Sequence, residues 1–378
     1  MKKTFANNIF GEFRLPGVLI LIFFLGLSFI SGGLLVYTGM ARTIKDSIDN
    51  QMHLFMFDSP AEEVIVAGDG IKNATNYLRS VNNRNKFSEE LVLKGLGIDK
   101  KDFFNIVIDD DKTYLLKVIS LDEKISAQIF QSTLNNGLTF QWIKVSKNNE
   151  KINKNSLIIL HGNRSSPEGL LGLEKGINAD PVAYTLAKSN IDVIIPIKYD
   201  MYTKEEADSI TVRVAVSSNT TFEALEQMKI KGLIEMLRID GIKPSLHGFS
   251  HGAWQALIAA QLNEINNLYY QDFLINPVVV FDQEMAGFYT DYNVSINDLY
   301  DYPQSLMRAK TNSISILLGK KSDYSKDVLF INKIRDKITT MINKSVNKKI
   351  NFIWYDGKHY ISDEMVRDFI IKDLKNSK

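Results

Sequence analysis

Ser245-Leu246-His247-Gly248-Phe249-Ser250-His251-Gly252-Ala253-Trp254 is the stretch on which the reading of this chain turns. Pro244–Phe249 reads as a strand, and His251 to Leu262 takes a helical pattern. Between them lies Gly248-x-Ser250-x-Gly252. A strand that turns this sharply into a helix holds its central serine in a strained conformation. The residues two positions to either side must then lack a β-carbon, which would strike the adjacent backbone. The turn lifts the serine hydroxyl above the sheet at the start of the helix, where N–H groups and the helix dipole favour a developing negative charge. The five-residue pattern is common by itself; its place between a strand and a helix gives it meaning.

From residue 150 onward, short apolar runs alternate with helical stretches, the signature of βαβ units and a parallel sheet. The strands read as Leu157–Leu160, Asp192–Ile197, Pro244–Phe249, Phe273–Val280, Ile314–Leu318 and Ile350–Trp354. Asp180 before Pro181 reads as a helix N-cap, and Thr220-Thr221-Phe222-Glu223 as a capping box ahead of a helix to about Ile239. Further helices are expected over Asp327–Ile342 and Asp363–Leu374.

His247 to Trp254, with the strands around it, resembles the nucleophile elbow of the α/β-hydrolase superfamily, and the resemblance covers residues 150–375. It implies an α/β-hydrolase fold, a mostly parallel central sheet flanked by helices. It also implies an oxyanion loop upstream of the serine, then an acid, then a histidine. Leu157-Ile158-Ile159-Leu160-His161-Gly162-Asn163 looks like the strand and loop that supply one oxyanion N–H, from Asn163; the other would come from His251, next after the serine. His161 itself reads as a buried brace of that loop. Ile314 to Asp323 ends a strand, turns at Gly319 and resembles the superfamily's acid loop, which makes Asp323 the expected acid, ahead of Asp327 and Asp282. Of the five histidines, His359 lies on a glycine-containing loop after the last strand, where the superfamily places its base. The expected triad is Ser250, Asp323 and His359. It would cleave an ester, or an amide or peptide, through an acyl-serine and without a cofactor. The competing readings are a peptidase of the serine aminopeptidase type and a catalytically silent α/β-hydrolase fold serving as a binding module. The substrate would be a small-molecule or peptide acyl compound.

The chain has 378 residues, a net charge of +1 and no cysteine. The charge gives no reason to propose nucleic acid as a partner, and the missing thiols exclude disulfides and a cysteine nucleophile. No metal-ligand spacing, phosphate loop or dinucleotide fingerprint is present. Residues 1–14 read as a tail. Residues 15–40 carry no charged side chain and are long enough to span a bilayer. The run exceeds the apolar segment of a signal peptide, which favours a retained anchor over secretion after cleavage at Gly39-Met40-Ala41. Lys2, Lys3 and Arg14 ahead of it put the N-terminus in the cytoplasm and the catalytic domain outside.

Residues 41–150 read as a membrane-proximal region leading into the first strands, and 151–378 as the catalytic domain. Within the former, Asp46–Phe57 reads as a helix, Phe104–Ile119 as a hairpin turning at Asp109-Asp110-Asp111, and Thr139–Val145 as a strand. The segment from Phe281 to Asn312, with Phe288, Tyr289, Tyr292, Tyr300 and Tyr302, suggests a partial cap, joined by Tyr199 and Tyr202. Trp254 reads as core. The sequence does not define the oligomeric state.

Overall fold

All residues of Ser156–Leu160, Asp192–Pro196, Ser245–Phe249 and Asn267–Gln271 are buried. Strands without a wet side need helices on both faces, which is the condition of a parallel sheet. The computed structural model describes residues 89–147, 155–162, 167–173, 181–197, 222–272, 302–343, 348–361 and 363–376. These all fall within one unit, Pro60–Lys378. The expected anchor at residues 15–40, the Asp46–Phe57 helix and the aromatic residues 199, 202, 288, 289, 292 and 300 lie outside them. Among the described residues, no helix is long and apolar enough to cross a membrane.

In chain order the described elements are α1 (Glu89–Leu96), α2 (Lys100–Phe104), β1 (Ile108–Ser120), β2 (Ile125–Leu134), β3 (Thr139–Lys147), β4 (Ser156–Leu160), α3 (Pro167–Leu171), α4 (Val182–Lys188), β5 (Asp192–Pro196), α5 (Phe222–Ile239), β6 (Ser245–Phe249), α6 (His251–Leu262), β7 (Asn267–Gln271), α7 (Tyr302–Arg308), β8 (Ser313–Gly319), α8 (Val328–Ile342), β9 (Lys349–Tyr355) and α9 (Glu364–Asn376). They build a sheet of order β1-β2-β3-β5-β4-β6-β7-β8-β9. The first three strands are antiparallel, β3 pairs antiparallel with β5, and from β5 to β9 all pairs are parallel. Helices α5, α6, α7 and α8 pack on one another in succession, and α4 packs with α9.

The chain leaves β4 toward β5 and returns to β6 on the other side of β4. The carboxyl ends of β4 and β6 therefore flank a point where the connections diverge, which is where open α/β sheets bind their ligands. Register places Leu160 beside Gly248 there. Helix α6 is buried on every side, and its alanine-rich sequence lets its backbone lie close to the sheet.

Several local expectations need correction. Asp109-Asp110-Asp111 is no turn; β1 runs through it with an irregularity between Asp109 and Thr113, and its partner is β2. The turn lies at Leu121–Lys124, where Asp122 accepts the N–H groups of Lys124 and Ile125 at 2.7 and 2.8 Å. The neighbour of β6 is Asn267–Gln271; the expected strand Phe273–Val280 lies outside the described residues. Asn-Leu-Tyr-Tyr-Gln hides its strand character because its polar members are buried but bonded: Asn267 Nδ2 donates to Tyr269 Oη at 3.1 Å, and Tyr269 Oη to Asp373 at 2.8 Å. Pro181 caps α4 rather than opening it. Tyr302, assigned to a cap, is buried against Tyr270 and Phe330.

A β-carbon added at Gly252 would run into the carbonyl oxygen of Leu160 at the end of β4, and one at Gly248 would lie 2.5 Å from Ala253 Cα. Both obstacles are backbone and cannot rotate away. Gly252→Ala is expected to destabilise the fold by about 3 kcal/mol or more, read as a fall in thermal or urea midpoint, whereas Gly241→Ala, which meets nothing within 4 Å but has φ +72°, should cost only the smaller strain of that backbone conformation, about 1 kcal/mol.

Candidate active site

Ser250 sits at φ 55° and ψ −128°, between β6 and α6. Few non-glycine residues adopt this backbone, and they persist where the surroundings over-determine them. Here the Ser250 N–H donates to the Gln271 carbonyl at 3.0 Å, its own carbonyl accepts the Ala253 N–H at 2.8 Å, and Gly162 lies so close that a β-carbon there would come within 2.9 Å of Ser250 Cβ. The serine is held from β7, from its own helix and from the loop after β4.

His359 follows β9, and its ring lies between two aromatic rings, with Phe249 at 4.5 Å and Tyr324 at 4.1 Å between centroids. It thus packs on the residue immediately before Ser250. Its Nδ1 bonds Asp272 Oδ2 at 2.7 Å. An ionised carboxylate can only accept, so Nδ1 carries the proton and Nε2 keeps the lone pair that a general base requires. Asp272 is fully buried, directly after β7, at φ 58°. Its other oxygen accepts the Ser325 hydroxyl at 2.8 Å and the Gly319 N–H at 3.3 Å.

The acid partner of His359 is therefore Asp272, and the expectation of Asp323 is corrected. The side chain of Asp323 is 79% exposed and paired with Lys326. That ammonium, first through a hydrogen bond, holds the Asp323 carboxyl below the usual range, with His359 the smallest contributor. The end of β8 and the loop after it still serve the site: Gly319 and Ser325 give their donors to Asp272, and Tyr324 covers the histidine. Asp327 caps α8, accepting the Phe330 N–H at 2.9 Å. Asp282 and Asn163 lie outside the described residues. One sequence signal could have pointed to Asp272, its place at the end of the strand beside the elbow strand, but it depended on recognising Asn267–Gln271 as a strand.

His251 opens α6, where first-turn N–H groups have no carbonyl within the helix. Its ring turns away from the catalytic side, with Nε2 bonded to Glu223 Oε1 at 2.8 Å. The capping box expected at Glu223 involves Thr220 and Thr221, which lie outside the described residues; the Glu223 carboxylate also takes Gln255 Nε2 at 3.2 Å and ties α5 to α6. His161 is fully buried, with Nδ1 at 2.9 Å from the Gly162 carbonyl, and Trp254 is buried in the core. Among the described residues, no group of three or more His, Asp or Glu could hold a metal ion.

No protein-family model matches the chain, and no curated protein matches it. Solved structures do resemble it. One is a cold-adapted esterase from an Arctic intertidal metagenomic library, 10% identical, covering 68% of this chain and 97% of its own, with a TM-score of 0.45. Acetyl xylan esterase 1 from Thermoanaerobacterium sp. is 12% identical over 84% of this chain and 99% of its own, TM-score 0.46. The acetyl xylan esterase from Paenibacillus sp. R4 is 11% identical over 80% and 98%, TM-score 0.46. Those activities belong to those proteins; the chemistry of this chain rests on its own geometry.

His247, three residues before Ser250, is buried, and burial depresses its pKa to about 4, opposed by its bond to Gln271. In the unfolded chain it titrates near 6.5. Between those values the unfolded state binds the extra proton, so stability is intact above pH 6.5 and falls as the pH drops toward 4. The loss from this residue is on the order of 3 kcal/mol. His247→Gln should flatten that part of the stability–pH curve, measured by urea denaturation at pH 4.5, 5.5 and 7.

Proposed function

We propose that this protein is a serine hydrolase that cleaves carboxylic esters through an acyl-Ser250 intermediate. The observation that carries the reading is the 2.7 Å bond from His359 to the buried Asp272, with the histidine ring packed on Phe249 beside the elbow serine. His359 Nε2 takes the hydroxyl proton of Ser250 as Oγ attacks the acyl carbon. The carbonyl π electrons move to oxygen, and the oxyanion forms beside the N-terminus of α6, where the His251 N–H and, by the resemblance, the Asn163 N–H serve as donors. Collapse expels the alkoxide, which takes the proton from His359. Water then attacks the acyl-serine with His359 again as base, releasing the acid and restoring Ser250. Asp272 keeps the imidazole in the tautomer with Nε2 free and stabilises its cation.

A fluorophosphonate probe should label the wild-type chain and leave Ser250→Ala unlabelled; equal labelling of both excludes Ser250 as the nucleophile, and labelling of neither leaves the fold as a binding module. Asp272→Asn is expected to lower kcat toward p-nitrophenyl acetate by about 10⁴-fold. Asp323→Asn should stay within a small factor of wild type, and a collapse of that variant instead would restore Asp323 as the acid.

We also propose that residues 15–40 hold the protein in a membrane with the catalytic domain outside. The support is their length and lack of charge. Protease added to spheroplasts should remove the C-terminal domain, and protection of that domain would reverse the orientation.

A further inference from the structure

The base of this site hangs on a loop, and a loop histidine is only as well placed as the peptides around it. Gln271, fully buried at the end of β7, gathers the contacts that place it. Its carbonyl accepts the Ser250 N–H at 3.0 Å. Its side-chain nitrogen donates to the Tyr360 carbonyl at 2.9 Å and to Tyr355 Oη at 3.2 Å. Tyr355 Oη in turn reaches the Lys358 carbonyl at 3.3 Å. The loop is thus pinned on both sides of His359, at the Tyr360 carbonyl by Gln271 directly and at the Lys358 carbonyl through Tyr355. The remaining oxygen of Gln271 bonds His247 Nε2 at 2.8 Å.

We propose that Gln271 is a positioning residue that sets His359 against Ser250, coupling the backbone of the nucleophile to the loop of the base. This inference rests on the serine-hydrolase reading and extends it. Three features make Gln271 suited to the task. A neutral amide can donate twice and accept once at the same time, which neither a carboxylate nor an ammonium can do. The acceptor side is fixed by His247, which stays neutral and keeps its Nε2 proton at any pH where the enzyme would work, since burial discourages its charged form. The donor side ends on Tyr355, whose phenol burial holds in the protonated state. Because Asp272 is the next residue, one short run, Gln271-Asp272, both orients the imidazole and locates its loop, while the Gln271 carbonyl holds Ser250.

The experiment compares full-length wild type, Gln271→Met and Tyr355→Phe in fluorophosphonate labelling rate from pH 5 to 9, and in kcat and KM for p-nitrophenyl acetate. Loss of a well-placed catalytic group by an ångström can cost about a hundredfold. Gln271→Met is therefore expected to label roughly ten to a hundred times more slowly. Its kcat should fall in step while KM stays within about a factor of two. Tyr355→Phe, which releases only the Lys358 side, should fall between Gln271→Met and wild type. Labelling by either folded variant at the wild-type rate, with the wild-type pH profile, overturns the inference; if Gln271→Met does not fold, Tyr355→Phe decides alone. Absence of labelling in wild type is a separate outcome, which removes the hydrolase reading and this inference with it.

Discussion

The arrangement depends on one close approach, that of the first turn of α6 to the ends of β4 and β6. Backbone meets backbone there, with no room for a β-carbon at Gly248 or Gly252. Such contact is tolerated only where glycine removes the side chain, and it fixes the direction in which the chain leaves the sheet. Ser250 is forced to a positive φ as a result. Helix α6 is drawn into the centre of its layer, where all of its residues are buried. Gly162 closes on the serine from the loop after β4 for the same reason.

A second constraint is the buried charge of Asp272. A carboxylate withdrawn from water must be compensated by donors and charge, or it destabilises the fold. Three donors converge on it: His359 from the loop after β9, Gly319 from the end of β8 and Ser325 from the loop that follows. The requirement for compensation organises that end of the sheet. It also explains why the loop after β8 has the appearance of an acid loop. Its glycine turn and short helical turn deliver an N–H and a hydroxyl inward, while its own carboxylate, Asp323, faces solvent and Lys326.

Polar residues that would ordinarily mark a surface are used throughout the interior here. Glu223 joins α5 to α6 through His251 and Gln255, Lys229 is buried with Glu226, and Gln271 serves His247, Tyr355 and Tyr360. Each is paired, which is the condition for burial. Polar pairing of this kind defeats a reading based on hydropathy, because a strand such as Asn267–Gln271 shows no apolar run.

What the sequence determined by itself were the features set by local sterics and periodicity. The glycine–serine–glycine turn, the alternation of strands and helices from β4 onward, the limits of α6 and the loop position of His359 all depend on residues near one another in the chain. What only the tertiary structure decided was which distant groups meet. The register of β7 against β8 sets Gln271 beside Leu317, and so leaves Asp272 at the strand end, where it accepts the Gly319 N–H and comes within reach of a histidine 87 residues away. Asp323 is nearer to His359 along the chain and has the same chemistry. Strand pairing and the burial that follows from it, neither written in any local pattern, made Asp272 the partner.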